Sequence, residues 1–396
     1  MTAPRGCPVC GAAERRVLFR QEFAAVESAT PVTGYDVAVC DRCGCGYADG
    51  IPDQRAFDDY YRAMSRYEYH QRDGIESEYD TRRMTVIAAI IAPLVPRRDA
   101  RILDIGCATG RLLANLCGLG FTSVQGADPS PACAVAARRL YDIPVHTRTL
   151  AELGAAAERY DVVILVGVLE HLCDLGEAFA HLRTIMSPGG IIYLEVPDAT
   201  AFADWTNAPY QDFSTEHINF FAPGSLDNLM RVHGFTRVYL EQNHREQSWK
   251  TTMSNVSAAY RKEAHAPAGV PAFEEATAAG LERYITLCRT TDEKLHAQID
   301  ALADGGRSII VWGVGTHTTR LLATSRLADA NIAAFIESNA RYHGKTLHGR
   351  PILAPAALVG RPEPVLISSR VFQHEIAAQI RDGLKCPNEL ILLYDV

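Results

Sequence analysis

The sequence has no long apolar run, no basic stripe, no internal repeat and no low-complexity tract. None of its 396 residues falls in an apolar stretch of roughly twenty, so no membrane-spanning helix is expected. The opening residues, Met-Thr-Ala-Pro-Arg-Gly-Cys, lack the apolar segment of a secretory leader. Lys and Arg number 39 against 47 Asp and Glu, a formal net charge of −8. That balance argues against a nucleic-acid partner. A cytoplasmic location is therefore expected. There the 11 cysteines act as thiols or metal ligands rather than disulfides. What is present is ordinary: 47% hydrophobic and 22% charged residues. The length exceeds one compact core and implies two or three domains.

Four cysteines form two tight knuckles, Cys7-Pro-Val-Cys10 and Cys40-Asp-Arg-Cys43, each followed by glycine. Both sulfurs of such a knuckle can reach one ion, and four thiolates close a tetrahedral Zn²⁺ shell with no position left for water. The spacing predicts a structural zinc ribbon over residues 1–75, with Cys45 a spare thiol. Coincidental thiols or a redox pair are the alternative.

Residues 102–110 read Ile-Leu-Asp-Ile-Gly-Cys-Ala-Thr-Gly. An apolar strand ends at Asp104, a small-residue turn follows, and a helical pattern begins at Arg111. A turn poor in side chains lets a ligand lie against the backbone. The next apolar run, Thr122–Ala127, ends in Asp128, placed to accept hydrogen bonds from a ribose diol. A dinucleotide turn would need glycine at Ala108. An acid at Asp104 suits a cationic ligand better than a pyrophosphate. A strand–turn–helix without a ligand is the bland alternative.

The pattern resembles the S-adenosylmethionine-dependent methyltransferases of the doubly wound class, with Ala108 at a position that is usually glycine. Three downstream segments extend the likeness. They are Tyr160-Asp161 opening an apolar strand, Val168-Leu169-Glu170-His171-Leu172 after it, and the Ser187-Pro188-Gly189-Gly190 turn into the next strand. The resemblance implies S-adenosylmethionine as methyl donor. Its candidate contacts are Asp104, Gly106, Cys107, Gly110, Asp128, Pro129, Gly167 and Tyr67. Tyr67 lies in the tyrosine-rich segment Phe57–His70, which also offers Tyr60 and Tyr61 for stacking or hydrogen bonding. An amphipathic packing helix is the other reading of that segment. A helix over Tyr79–Leu94 is expected next.

The segment from Tyr210 to Phe221 contains Glu216-His217 among aromatics, and His171 arrives at the same sheet edge. Histidine titrates near neutral pH and can take and return protons; a carboxylate beside it can orient it. His217 could instead be a packing residue before a helix over Ser225–His233, and His171 a mere donor contact.

A four-cysteine ribbon, a methyltransferase domain, a Glu-His segment and a second nucleotide-type domain occur in this order in one family. The chain resembles the deoxysugar C-methyltransferases acting on nucleotide-linked keto sugars. That family carries Tyr-x-Glu-His-Phe, which maps onto Glu216 and His217, and a histidine that maps onto His171. Ser214 stands where it carries tyrosine. The resemblance implies a small-molecule acceptor, a nucleotide-diphosphate sugar, methylated at carbon through an enolate. His217 would be the base, Glu216 its orienting group, and His171 would lie near the enolate oxygen. Methyl transfer to oxygen or nitrogen of a secondary metabolite is the nearest alternative.

In the last third, Pro271–Leu302 has helical spacing, Ser308–Trp312 reads as a strand, and Gly313-Val-Gly315 forms a second turn before Thr316, Thr318 and Thr319. A further strand ends at Glu337. The signature is a partial dinucleotide pattern. It admits an anion site, an NAD(P)-dependent oxidoreductase, or a packing domain that completes the cleft. His343, Lys345 and His348 could also meet phosphates. The expected fold is thus α/β. It comprises a zinc ribbon (1–75), a doubly wound class I methyltransferase sheet (76–260), and a helical linker with a second Rossmann-like α/β domain (261–396). A monomer or small homo-oligomer is expected. A non-catalytic adaptor with decayed enzyme domains is the remaining competitor.

Overall fold

The computed structural model describes residues 5–27, 32–64, 76–155, 158–205, 207–264 and 271–395, and these form three sheets. The first is antiparallel: β1 (Arg15–Glu22), β2 (Gly34–Cys40) and β3 (Gly46–Asp49). Tyr35, Val37, Val39 and Cys40 of β2 are buried. The Cys7 knuckle precedes β1, and the Cys40 knuckle turns from β2 into β3. Two helices follow, α1 (Gln54–Met64) and α2 (Glu78–Ile91). The side chain of Ser77 caps α2 by accepting from Asp80 N–H at 3.0 Å.

The central sheet starts with β4 (Arg101–Ile105) and alternates through α3 (Arg111–Gly118), β5 (Ser123–Ala127), α4 (Pro131–Tyr141), β6 (Val145–His146) and α5 (Leu150–Gly154). It continues with β7 (Tyr160–Val166), α6 (Leu175–Ile185) and β8 (Met186–Pro197). Strands buried on both faces read as continuous apolar runs, as Ile102-Leu103 and Val162–Leu165 do. Pairing from β7 to β8 passes from Tyr160↔Met186 to Val162↔Ile191, so Ser187–Gly190 bulge out of the ladder, with Gly189 at φ +71.

The next short strand, β9 (Asn219–Phe220), leaves the central sheet. It pairs with β3 through Gly46↔Phe220 and Tyr47↔Asn219. The cysteine-bearing sheet therefore takes its fourth strand from beyond residue 200, which a self-contained ribbon over 1–75 does not foresee. Phe221 also bridges to Asp198 at the end of β8. After α7 (Pro223–Val232), a long hairpin of β10 (Phe235–Ser248) and β11 (Thr251–Lys262) completes the central sheet in the order β10-β11-β8-β7-β4-β5-β6. β4, β5, β6, β7 and β8 run parallel; β11 is antiparallel to both β8 and β10.

A 30-residue helix, α8 (Ala276–Gly305), leads to the third sheet. It contains β12 (Ile309–Trp312), α9 (Thr316–Thr324), β13 (Ile332–Ile336), β14 (Thr346–Leu347), β15 (Arg350–Leu353), β16 (Val365–Ile367), α10 (Gln373–Ala378) and β17 (Leu390–Leu392). The order is β14-β15-β13-β12-β16-β17, parallel except at β14. The third sheet touches the first through Ala24 N–H donating to the Thr319 carbonyl at 2.8 Å and a Val26↔Leu347 bridge. The doubly wound α/β expectation is met. No helix among the described residues is long and apolar enough to cross a membrane.

Candidate active site

Strand order in the central sheet reverses between β4 and β7, which opens a crevice at their carboxyl ends. A cavity of about 350 Å³ lies there. Its walls hold Gly106, Asp128, Pro129, Gly167, His171, Glu216 and His217, together with Tyr60 and Tyr61 of α1. The loop after β13 adds Asn339 and Tyr342, so the third sheet also borders the cavity.

The turn after β4 explains its own composition. Gly106 has φ +73, and a Cβ there would sit 2.7 Å from Val168 Cγ2. Ala108 has φ +49, the left-handed region that favours glycine. Asp128 is fixed by this turn: Oδ2 accepts from Ala108 N–H at 3.0 Å, and Oδ1 accepts from Ser130 N–H at 2.9 Å. Its carboxylate thus faces the cavity with both oxygens held.

Other residues expected at the donor stand behind the wall. Asp104 is buried within β4, and burial, reinforced by Asp128, holds its pKa well above the carboxylate range. Cys107 turns inward against Gly126. Gly110 caps α3 in a left-handed conformation. These three shape the turn and do not line the cavity. Tyr67 lies outside the described residues.

The Glu-His segment reaches the cavity because β9 anchors it to the cysteine-bearing sheet. Ser214 is buried. Its Oγ accepts from Glu216 N–H at 3.2 Å and His217 N–H at 3.0 Å, and its carbonyl accepts from Tyr35 Oη at 2.8 Å. Position 214 therefore builds the turn that presents the pair. The Glu216 carboxylate accepts from Tyr60 Oη at 2.8 Å, while its backbone carbonyl lies 3.0 Å from His171 Nδ1. A carbonyl only accepts, so Nδ1 carries the proton and Nε2 the lone pair in the neutral ring. Tyr61 Oη also lies 2.9 Å from Nδ1. The His171 and His217 rings meet edge-on, 5.0 Å apart.

Two acids were not singled out in the sequence. Glu170 lines the cavity, and burial pushes its pKa up to about 7. It offers a ligand atom within 4.8 Å of those of His171 and His217. Its place inside the Leu-Glu-His motif was the available signal. Glu195, at the end of β8, accepts from Arg83 Nη2 at 2.7 Å and from Ser257 Oγ at 3.2 Å. Burial raises its pKa, but Arg83 and Arg245 outweigh burial and leave it lowered.

The four knuckle sulfurs lie within 4.8 Å of one another, with Cys7–Cys43 and Cys10–Cys40 each at 3.5 Å. Thiolates at tetrahedral zinc distances stand about 3.8 Å apart, so the set fits such an ion.

The second glycine turn is internally engaged. Val314 N–H donates to Glu337 Oε2 at 3.1 Å, Thr318 Oγ1 to the Gly313 carbonyl at 2.8 Å, and Thr319 Oγ1 to the Gly315 carbonyl at 3.1 Å. The Thr318 and Thr319 hydroxyls are spent on the turn's own carbonyls, and the Glu337 carboxylate occupies the Val314 amide that a phosphate would seek. His343 Nε2 donates to the Glu337 carbonyl at 2.7 Å, and the exposed His348 lies 3.2 Å from the Ala328 carbonyl.

The family model for a methyltransferase domain matches residues 79–240, and that for the C-methyltransferase C-terminal domain matches residues 232–392. The ubiquinone biosynthesis O-methyltransferase of Cereibacter sphaeroides strain ATCC 17025 is 30% identical over 187 residues, 43% of this chain and 74% of that protein. Its counterpart from Azorhizobium caulinodans is 35% identical over 112 residues, 27% of this chain and only 44% of that protein. Magnesium protoporphyrin IX methyltransferase from Synechocystis PCC 6803, solved with bound SAH, is 17% identical. It covers 53% of this chain and 100% of its own, with a TM-score of 0.41. The 1,6-didemethyltoxoflavin-N1-methyltransferase of Burkholderia thailandensis is 19% identical, with coverages of 55% and 96% and a TM-score of 0.42. The chain belongs to the S-adenosylmethionine-dependent methyltransferases and has their class I α/β fold.

Proposed function

We propose that this enzyme methylates the carbon beside a ketone in a nucleotide-linked keto sugar. The convergence of Glu216, His217, His171 and Tyr60 on the cavity that also holds Asp128 and Gly106 carries this reading. Asp128 binds the donor's ribose, and the Gly106 and Gly167 turns admit its backbone-hugging parts. Asp104, Cys107 and Gly110 hold the turn in shape, and Pro129 lines the donor side. His217 takes the α-proton and the C–H electron pair becomes the enolate. Glu216, fixed by Tyr60, holds the proton-transfer segment in place, and His171 stands near the enolate oxygen, to which it donates once its Nε2 is protonated. The carbon then attacks the sulfonium methyl; water exclusion and alignment supply much of the remaining rate. Cys7, Cys10, Cys40 and Cys43 would hold a structural Zn²⁺, which would pin the sheet to which the Glu-His segment is attached. The acceptor lies between the central sheet and the third sheet, whose loop after β13 carries Asn339 and Tyr342.

The match to the C-methyltransferase C-terminal domain supports carbon as the site of transfer. The names of the relatives make oxygen the competing site. Incubation with methyl-labelled S-adenosylmethionine and a thymidine-diphosphate 4-keto-6-deoxyhexose separates them. A new methyl on carbon, with solvent deuterium entering the α-position, is expected. Label found only on oxygen overturns the enolate route.

A further inference from the structure

Glu170 is the central residue of the helical turn Leu169–His171 just after β7, with its side chain on the cavity wall and 3% of its surface exposed. Its Oε1 lies 4.0 Å from His171 Nε2. Its Oε2 is buried and has no hydrogen-bond partner among the described residues. A buried carboxyl oxygen left without a partner costs stability unless something else uses it. The tautomer fixed by the Glu216 carbonyl leaves the lone pair of His171 on Nε2, the nitrogen nearest Glu170. One atom each of Glu170, His171 and His217 lie mutually within 4.8 Å. Three proton-handling groups therefore stand together beside the acceptor space.

We propose that Glu170 is the proton sink of this site, taking from the histidines the proton that His217 removes from the acceptor. This rests on the enolate reading above. The proton leaves the acceptor carbon for His217, and its electron pair forms the enolate. The resulting imidazolium passes the proton, through His171 Nε2 or a bridging water, to the Glu170 carboxylate. His217 is then neutral again. The carbon–methyl bond forms as the sulfur–methyl bond breaks, and Glu170 releases its proton to water as products leave. The balance is one C–H and one S⁺–CH₃ consumed, one C–CH₃, one thioether and one proton produced.

The surroundings suit that duty. Burial favours the neutral carboxyl, while Arg83 from α2 and Arg245 from β10 favour the carboxylate and Glu195 from β8 opposes it. The result, about 7, sits close to the ordinary value of histidine, so a proton moves between them with little driving force wasted.

Glu170→Gln, Glu170→Asp and Glu170→Ala full-length proteins test the proposal with labelled S-adenosylmethionine and the same thymidine-diphosphate 4-keto-6-deoxyhexose. Glu170→Gln is expected to lower kcat about 10²-fold, with KM and donor affinity changed less than about threefold. Glu170→Asp recovers part of the rate, and added formate restores Glu170→Ala. Wild-type kcat in Glu170→Gln overturns the proposal. So does a lowered kcat with no recovery by aspartate or formate, because that assigns Glu170 to packing. A wild-type enzyme inert toward the keto sugar removes the enolate reading and the proton sink with it. An active wild type beside an equally active Glu170→Gln removes the sink alone.

Discussion

The hydroxyl of Tyr60 donates to Oε1 of Glu216 at 2.8 Å, joining residues 156 positions apart. The phenol comes from α1, not from position 214, where serine builds the turn instead. Burial, and then the Glu216 charge, hold the Tyr60 pKa well above its usual value, so it remains a donor throughout the working range. Tyr60→Phe removes one hydrogen bond to a charged group. It is expected to cost about 1.5–3 kcal/mol in transition-state stabilisation, read as a roughly tenfold to hundredfold fall in kcat with donor binding nearly unchanged. Steady-state kinetics with calorimetric binding of S-adenosylhomocysteine checks this.

The knuckle cysteines should carry one zinc per chain by elemental mass spectrometry. Cys7→Ser or Cys40→Ser is expected to lose the ion and lower Tm substantially. Cys45→Ser should keep the ion, because four thiolates already close the shell. Since β9 hydrogen-bonds to β3 in the same sheet, metal loss should also cut activity, although none of the four cysteines lines the cavity.

Ala108 sits at φ +49 against a usual cost of about 1 kcal/mol for a side chain there. Ala108→Gly relieves that cost but loosens the unfolded chain by a similar amount. A stability change within about 1 kcal/mol, and donor affinity held or improved, is the expected result in urea titration and calorimetry.

His317 is fully enclosed between Ser368 Oγ (3.0 Å) and Tyr394 Oη (2.5 Å). Burial, with Arg320 adding repulsion, pushes its pKa down to about 3. Between about pH 6.5 and 3 the unfolded chain binds a proton at this position that the folded chain does not. This residue therefore removes stability as pH falls below about 6.5, by up to about 1.4 kcal/mol per unit. Glu170 acts in the opposite sense, since its raised pKa adds stability as pH falls through 7. Comparison with His317→Gln isolates the histidine: the advantage of wild type over the variant should shrink from pH 6.5 to pH 5 in parallel denaturation curves.

Much of the central sheet was legible because its signals are local. Apolar runs ending in Asp104 and Asp128, the small-residue turn and the Tyr160 strand each declare themselves within a few residues. The Glu-His pair was legible as chemistry. Its partners were not, because Tyr60 reaches Glu216 through tertiary packing that no spacing encodes. Glu170 was hidden by its own motif, where the neighbouring histidine drew the reading. Asp104, Cys107 and Gly110 share the turn with Gly106 but lie outside the cavity lining, and which residues of a turn face its back is not encoded in spacing. The second glycine turn left three readings open for a related reason: threonine hydroxyls after a strand resemble anion donors, and only the fold shows the carbonyls that take those of Thr318 and Thr319.

The borrowed strand β9 has a consequence for how the chain is made. The four thiolates are all synthesised by Cys43, yet the sheet that carries them gains its last strand only at Asn219, 219 − 43 = 176 residues later. At about 5–20 residues per second, the ribosome takes roughly 10–35 s to cover that gap. Over that interval the nascent amino-terminal sheet has an open edge along β3, and the zinc proposed for its sulfurs would bind a sheet that still lacks its fourth strand.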